Sequence, residues 1–497
     1  MNMDIKNTIK NIILNPNVFL LKNPGTKQTI AKNTFWLTLA EGITRFLKLI
    51  LIIYVARILG ATEYGKFTFA LAFVSLFAIF SDFGVSSITT RELAREKEKE
   101  REFPNILSLK LVLSIGTLIL ICFGSFFITP DPVIRGIIWI LGIYIIISSF
   151  SGIIYAFFQA RQKMEYEAWT KILQAVAITG AGFFVLFNFP SVQSLSLAYL
   201  FAATIALISI LTFFHFKIYH LKLSFNRNIW RNVLIMSWPL ALAGIFGTIY
   251  SQTDSIMMGY FGQIIQVGWY NAAYKIIGAT LIPVGLVSIS FFPVLSKLFK
   301  ESKEKLQKSF DYYMQLMILL AVPLVIGGMT LAPKIIDFVY DSSYFPSILA
   351  FQILLIMAAL SYFCNPLGQI LIVSNQQKRL FWITLSGAIV NVGLNLILIP
   401  KYSLYGAAFA TVVTLLLIFF LLYKFTSKFT PIKAFNLKFL FTFFGAGLSS
   451  IIMYFVISQQ IVYNLNVLLS VLIGALVYLF FFWSFKKLVD LFRNWSI

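Results

Sequence analysis

The sequence predicts an all-α polytopic membrane protein of 14 transmembrane helices, arranged as two six-helix bundles plus a C-terminal helix pair. Three observations predict it. Of the 497 residues, 59% are hydrophobic and only 12% charged, and the mean hydropathy is +0.85, far from the one-quarter charge of soluble globular chains. Apolar runs of about 20 residues, the length that crosses a bilayer, recur from one end to the other. Lysine and arginine fall almost wholly on alternate loops.

The runs cover 33–59, 67–89, 105–128, 134–160, 168–188, 195–216, 233–259, 268–298, 309–331, 348–373, 382–399, 406–425, 439–458 and 467–485. The loops between them are short, and none could fold as a soluble domain. A phosphate-cradling GxxxxGK[ST] loop is missing, which argues against an ATP-driven pump. With the N-terminus inside, 31 of the 40 Lys and Arg residues lie on the cytosolic side, 5 lie outside and 4 lie within helices. One span missed in the middle would scramble that division, so both ends are expected in the cytosol. The domain bounds that follow are a cytosolic or interfacial tail at 1–32, a bundle at 33–216, a linker at 217–232, a second bundle at 233–425, and the appended pair with a cytosolic tail at 426–497.

The net charge of +21 is spread over eight cytosolic segments beside anionic lipid, which points away from nucleic acid. The run Arg91–Glu102 alternates in sign and reads as a solvated helix. Cys122 and Cys364 sit in apolar runs and read as small core residues. Two histidines are too few for a metal site, so neither metal nor cofactor is expected.

The first run organises the functional reading. Thr34, Thr38, Glu41, Arg45 and Lys48 share an arc of roughly 80° on one helical face, and the rest of the circumference is apolar. Each charge at mid-membrane costs roughly 2.5–3.5 kcal/mol, against about 0.3–0.6 returned per Leu or Ile. The stripe must therefore face protein or water. Glu41 with Arg45 makes a structural ion pair one reading; with Lys48 the stripe is net positive, which favours a lining for an anionic substrate.

Elsewhere, Asp254 and Lys275 could pair across the seventh and eighth runs as a salt bridge or a gate. Asn271 shares the face of Lys275 and could bond a sugar, and Tyr250, Tyr270 and Tyr274 could stack on one. Asp82, near the inner end of the second run, is a gating or coupling candidate. Pro239, Pro283, Pro293, Pro323 and Pro366 interrupt runs and favour kinks, with Pro239 and Pro283 the strongest hinge candidates.

The halves echo each other. Leu59-Gly60 precedes the second run as Phe261-Gly262 precedes the eighth, and the segment 157–187 resembles 371–399, with Gln162-Lys163 matching Gln377-Lys378. Two parallel six-helix repeats imply a cavity between them near the midplane.

With six plus six plus two runs, and YVARILGATEYGKFTFALAFVSLFAIFSDFG (54–84) followed by RELAR, the chain resembles the polysaccharide (O-antigen, Wzx-type) flippases of the multidrug/oligosaccharidyl-lipid/polysaccharide exporter superfamily. The resemblance implies a V-shaped pair of bundles with a central cavity that opens alternately to each side. It also implies an undecaprenyl-diphosphate-linked oligosaccharide as substrate, the inner (plasma) membrane as location, and a transporter rather than an enzyme. The expected partners are that lipid-linked substrate, membrane lipids, a polysaccharide polymerase and a chain-length regulator, with the protein itself a monomer. The family has no universal catalytic motif, so the cavity residues Glu41, Arg45, Lys48, Asn271 and Lys275, and the gating or coupling residues Asp82 and Asp254, rest on the physics. The rival readings are a cation-coupled multidrug exporter of the same superfamily, which would want an acidic lumen, and a membrane polysaccharide polymerase, which would want a larger external loop than the one at 332–347.

Overall fold

The computed structural model describes residues 26–495; most of the expected N-terminal tail lies outside them. The described chain is helical nearly throughout, as a bilayer requires of backbone whose polar groups cannot reach water. In order the α-helices are α1 (Thr26–Asp82), α2 (Val85–Arg95), α3 (Phe103–Ile128), α4 (Pro132–Ala160), α5 (Met164–Asn188), α6 (Val192–Lys217), α7 (Arg227–Tyr260), α8 (Ile264–Thr280), α9 (Ile282–Glu301), α10 (Lys303–Val339), α11 (Ser347–Val373), α12 (Gln377–Phe429), α13 (Leu437–Ile457), α14 (Gln460–Tyr463) and α15 (Val467–Trp495). Large apolar side chains such as Phe127, Phe187 and Ile289 stand exposed on the helix surfaces, where acyl chains would cover them.

Among the described residues, twelve helical stretches are long and apolar enough to cross a membrane, two fewer than the runs of the sequence. The difference falls at α1 and α12. At about 1.5 Å per residue either would extend far beyond a 30 Å hydrocarbon layer. Each is broken by one residue outside helical geometry, Gly60 (φ 74°, ψ 171°) in α1 and Ser403 (φ 53°, ψ −132°) in α12. The sequence separates the two limbs of each helix into different runs, while backbone hydrogen bonding joins them.

The chain divides into two compact units, one reaching to Gln252 and the other beginning at Thr253, within α7. The first unit has an aromatic core at one end, where Phe103, Phe157 and Phe214 meet with ring centroids 4.9–5.7 Å apart. In the second, Phe310, Tyr313, Met317, Leu367 and Ile370 form the core. A smaller cluster of Ile318, Leu331, Met453 and Tyr478 fastens α13 and α15 to α10. Lys334 of α10 reinforces that attachment by donating to the carbonyls of Tyr463, at the end of α14, and Leu465, just beyond it, the latter at 2.7 Å.

The repeat seen in the sequence has a backbone counterpart. After α4, Arg161, Gln162 and Lys163 donate to the carbonyls of Phe157, Gln159 and Phe158; after α11, Ser374, Asn375 and Gln376 donate to Ile370, Ile372 and Leu371. Gln162 (φ 56°) and Asn375 (φ 59°) take the left-handed position in this helix-ending motif. Gly60 and Gly262 match as well, at φ 74° and 75°.

The prolines behave differently from one another. Pro239, Pro293, Pro323 and Pro366 lie inside continuous helices. Pro283 instead stands in the first turn of α9, just beyond the break from α8, where the Tyr362 hydroxyl bonds the Thr280 carbonyl at 2.6 Å. At Pro333 the carbonyl four residues earlier, that of Met329, is met by Gln352 Nε2 at 3.0 Å. A side chain thus replaces the hydrogen bond that proline removes.

Candidate functional site: a cationic stripe and two buried polar centres

The first limb of α1 carries the stripe the sequence places there. Arg45 Nε donates to Glu41 Oε1 at 2.6 Å, one turn apart, and both side chains are more than half exposed. Lys48 is exposed too, and among the described residues it has no hydrogen-bond or ion-pair partner. Exposed charge on an apolar spanning limb is costly against acyl chains. Beside it, sharing Thr34 and Thr38 with the stripe, lies an apolar cleft of about 630 Å³ lined also by Phe35, Leu39, Gly42, Ile43 and Phe46. One limb therefore offers a net-positive face and, next to it, a hydrocarbon-like one.

Helix α5 holds this limb in place. Leu51 packs into Gly182, where an added Cβ would fall 2.8 Å from a Leu51 methyl, and Tyr54 meets Phe183 at 5.2 Å. Nearer the helix starts, Trp36 meets Trp169 at 5.6 Å. Lys32 is fully buried and paired with Glu165 at 2.9 Å. The sequence assigns Lys32 to the solvated tail; in the structure it lies within α1 and joins it to α5.

Asp82 is not a solitary carboxylate at the interface. Its Oδ1 takes Lys110 Nζ at 2.6 Å and the Ser86 hydroxyl at 2.5 Å. Lys110 also donates to Ser149 Oγ at 2.9 Å, and Ser81 donates to the same oxygen at 2.6 Å. The Lys110 side chain is wholly buried, whereas that of Asp82 is 32% exposed. The centre sits at a backbone break, Phe83 (φ 49°) and Gly84 (φ 76°), between α1 and α2. A Cβ on Gly84 would come within 3.0 Å of the Ser237 carbonyl and of Leu240 Cβ, so glycine permits both the left-handed turn and the close approach of α7. Lys110 was legible as the one charge in the third run, since a lone cation there requires a carboxylate.

In the second unit Asp254 is buried and bonded by neutral donors. Tyr270 and Thr411 donate to Oδ2, the latter at 2.9 Å, and Asn395 Nδ2 donates to Oδ1 at 2.6 Å. Among the described residues no ion pair joins Asp254 to Lys275, which is exposed. The neutral donors Tyr270, Asn395 and Thr411 take the place of the cation expected beside Asp254. Asn271 is buried as well, its amide donating to Ser255 Oγ at 2.9 Å and the Val267 carbonyl at 3.0 Å, which leaves it no free donor for a sugar. Tyr270 is 2% exposed and stacks on Tyr274 at 5.8 Å, so the face expected to bind sugar is committed to packing. Among the described residues no cluster of three His, Cys, Asp or Glu side chains forms.

With this geometry in view, the comparisons with known proteins are specific. A family model described as "Polysaccharide biosynthesis protein" matches residues 30–299. The chain belongs to that family. A relative from Haloferax volcanii, named as the probable low-salt glycan biosynthesis flippase Agl15, is 22% identical over 412 residues, 81% of this chain and 85% of the relative. Among solved structures, the lipid II flippase MurJ in an inward closed conformation superposes with a TM-score of 0.75 at 18% identity, covering 92% of this chain and 99% of MurJ. An inward-facing multidrug resistance MATE transporter gives 0.63 at 15% identity, covering 80% of this chain and 98% of the transporter. The fold is thus that of MurJ- and MATE-type transporters, a multi-pass membrane architecture and not an enzyme scaffold.

Proposed function

We propose that this protein is a flippase that carries an undecaprenyl-diphosphate-linked oligosaccharide across the cell membrane by alternating access, for the synthesis of surface polysaccharide. The observation that carries the reading is the accessible stripe of Glu41, Arg45 and Lys48 beside an apolar cleft on the same spanning limb. A lipid diphosphate is amphipathic in the same sense, an anion joined to a hydrocarbon chain. Arg45 and Lys48 supply charge-assisted hydrogen bonds to phosphate oxygens, Glu41 orients Arg45, and the cleft receives the isoprenoid. Lys275 of α8 is a further substrate contact, within the second unit. Asp82, held by Lys110, acts as a gate, and Asp254 as a coupling residue. The family model and the flippase names of a relative and of a structural neighbour support the reading. The charge asymmetry supports cytosolic termini in the inner membrane.

The fold shared with a multidrug transporter favours a second reading, export of small molecules coupled to a cation. The two differ in sign: a cationic drug wants an acidic lining, and the limb described here is net positive. Replacing Arg45 and Lys48 together by glutamine is expected to abolish surface polysaccharide in cells with normal levels of the protein. Normal polysaccharide in that strain, together with drug resistance on overexpression, would move the assignment to the exporter.

A further inference from the structure

The break between α1 and α2 is not dictated by the residues that form it. Ser81-Asp82-Phe83-Gly84-Val85-Ser86 holds no proline, and helical hydrogen bonds run up to it from both sides. Phe83 N donates to the Ile79 carbonyl at 2.6 Å, and Ile88 N to that of Gly84 at 3.2 Å. Between them two consecutive residues are left-handed, Phe83 at φ 49° and Gly84 at φ 76°. Glycine takes that geometry freely, but for a phenylalanine it is unfavourable by a factor of about five to thirty.

The break between α8 and α9 in the second unit is of another kind. Leu281 is right-handed there, at φ −86° and ψ −7°, and Pro283 stands in the first turn beyond it. Proline lacks the N–H that a continuous helix would use, so that break is permanent. The break at Phe83 and Gly84 has to be held from outside.

Two holders are present. Asp82, just before the break, is bonded to Lys110 of α3 at 2.6 Å and, across the break, to Ser86 of α2 at 2.5 Å. The part of α7 that belongs to the first unit lies in the notch. A Cβ on Gly84 would fall 3.0 Å from the Ser237 carbonyl and 3.5 Å from Ala241 N, and one on Gly244 3.4 Å from Ile79 Cδ1. Beyond the notch the contact thins. Arg91 Nη2 reaches Met236 Sδ at 3.6 Å, and a cavity of about 160 Å³ lies between Ile88 and Leu93 of α2, Ile106 of α3, and Ile229, Val233 and Met236 of α7. Helix α2 is thus pinned at its start and loosely packed along its length.

Straightening the break would restore backbone hydrogen bonds and release the strained phenylalanine, and it would erase the notch. Bent and straight forms are therefore alternatives that depend on whether α7 is seated, which is what a two-state element requires. We propose that the α1–α2 break is a conformational switch of this transporter. It is bent while α7 lies on Gly84, and straight, with α1 and α2 as one helix, when α7 leaves. Only the cargo that the switch serves rests on the flippase reading above.

The test uses the full-length protein in liposomes, with Cys122→Ala and Cys364→Ala, and with Arg91→Cys and Met236→Cys joined by a short reducible thiol cross-linker. Phe83→Gly, which relieves the left-handed phenylalanine, is expected to raise the cross-linked fraction. Gly84→Ala, which sets a Cβ against Ser237 and Leu240, is expected to lower it about fivefold or more. With a fluorescent undecaprenyl-diphosphate oligosaccharide in the same liposomes, cross-linking is expected to stop headgroup crossing and reduction to restore it. Continued crossing by cross-linked protein would overturn the switch. So would a cross-linked fraction unmoved by the substitutions, even if Gly84→Ala lowered thermal stability. Should Gly84→Ala fold poorly, Phe83→Gly and the cross-linking arm decide the matter, since neither adds a clash. If the uncross-linked protein moves no undecaprenyl lipid while the cross-linked fraction responds as expected, the flippase reading falls and the switch stands.

Discussion

Each unit of the protein buries a polar centre at the same point in its helix order, and the two centres differ in charge. In the first, Asp82 and Ser86 meet Lys110 of α3 and Ser149 of α4. In the second, Ser288 of α9 meets Tyr313 of α10 at 2.6 Å and Asn365 of α11, and Tyr313 reaches Asn365 at 2.9 Å. Serine corresponds to serine, the lysine to a tyrosine, and the second serine to an asparagine. The first centre is ionic and lies at the backbone break of Phe83 and Gly84; the second is neutral and lies along the unbroken α9. The second unit has a buried carboxylate elsewhere, at Asp254, among neutral donors from α8 and from both limbs of α12. Corresponding places in the helix order can thus be joined by either kind of hydrogen bond. The ionic version is the more dependent on both partners being present, because losing one leaves the other's charge uncompensated, and Lys110 is wholly buried.

That contrast can be broken by mutation. The largest effect is expected at Lys110→Met, which leaves the partly exposed Asp82 without its cation and should cost less than the roughly 3–5 kcal/mol of a fully buried stranded charge, visible as a lower melting temperature in detergent and reduced yield. Adding Asp82→Asn should recover most of the loss. A Lys110→Met variant that melts like the wild type would mean that the ion pair holds nothing. The smaller effect is expected at Ser288→Ala. Interhelical hydrogen bonds between neutral groups in membrane proteins average about 0.6 kcal/mol, so its melting shift should be several-fold below that of Lys110→Met. Equal shifts would erase the distinction between the two centres.

What the sequence made legible was local. The stripe of Glu41, Arg45 and Lys48 could be read because residues three and four apart share a helical face whatever surrounds the helix. The positions of the apolar runs followed from hydropathy for a similar reason. The repeat survived in Gly60 and Gly262 because a left-handed turn selects glycine.

The polar centres were not legible to the same degree. Asp82 and Lys110 lie on helices separated by α2 and a charged 3₁₀ turn at Lys97–Glu102. Asp254 receives its donors from Asn395 and Thr411, far along the chain on either side of the Ser403 break. Spacing along a chain does not say which helices touch, so Lys275, the cation nearest in sequence, stood in for partners that only packing reveals. Asn271 was misjudged for a related reason: an amide on a polar face looks available until the neighbouring Ser255 is seen to hold it.

Carriage of a diphosphate depends most on the sign of the first limb of α1. Purified protein in liposomes containing a fluorescent undecaprenyl-diphosphate oligosaccharide, with a membrane-impermeant quencher added outside, reports headgroup crossing directly. The wild type is expected to expose the inner-leaflet pool to quencher, and the double variant Arg45→Gln with Lys48→Gln to leave it protected at equal reconstitution. Equal crossing by both proteins would contradict the claim that this stripe carries the diphosphate.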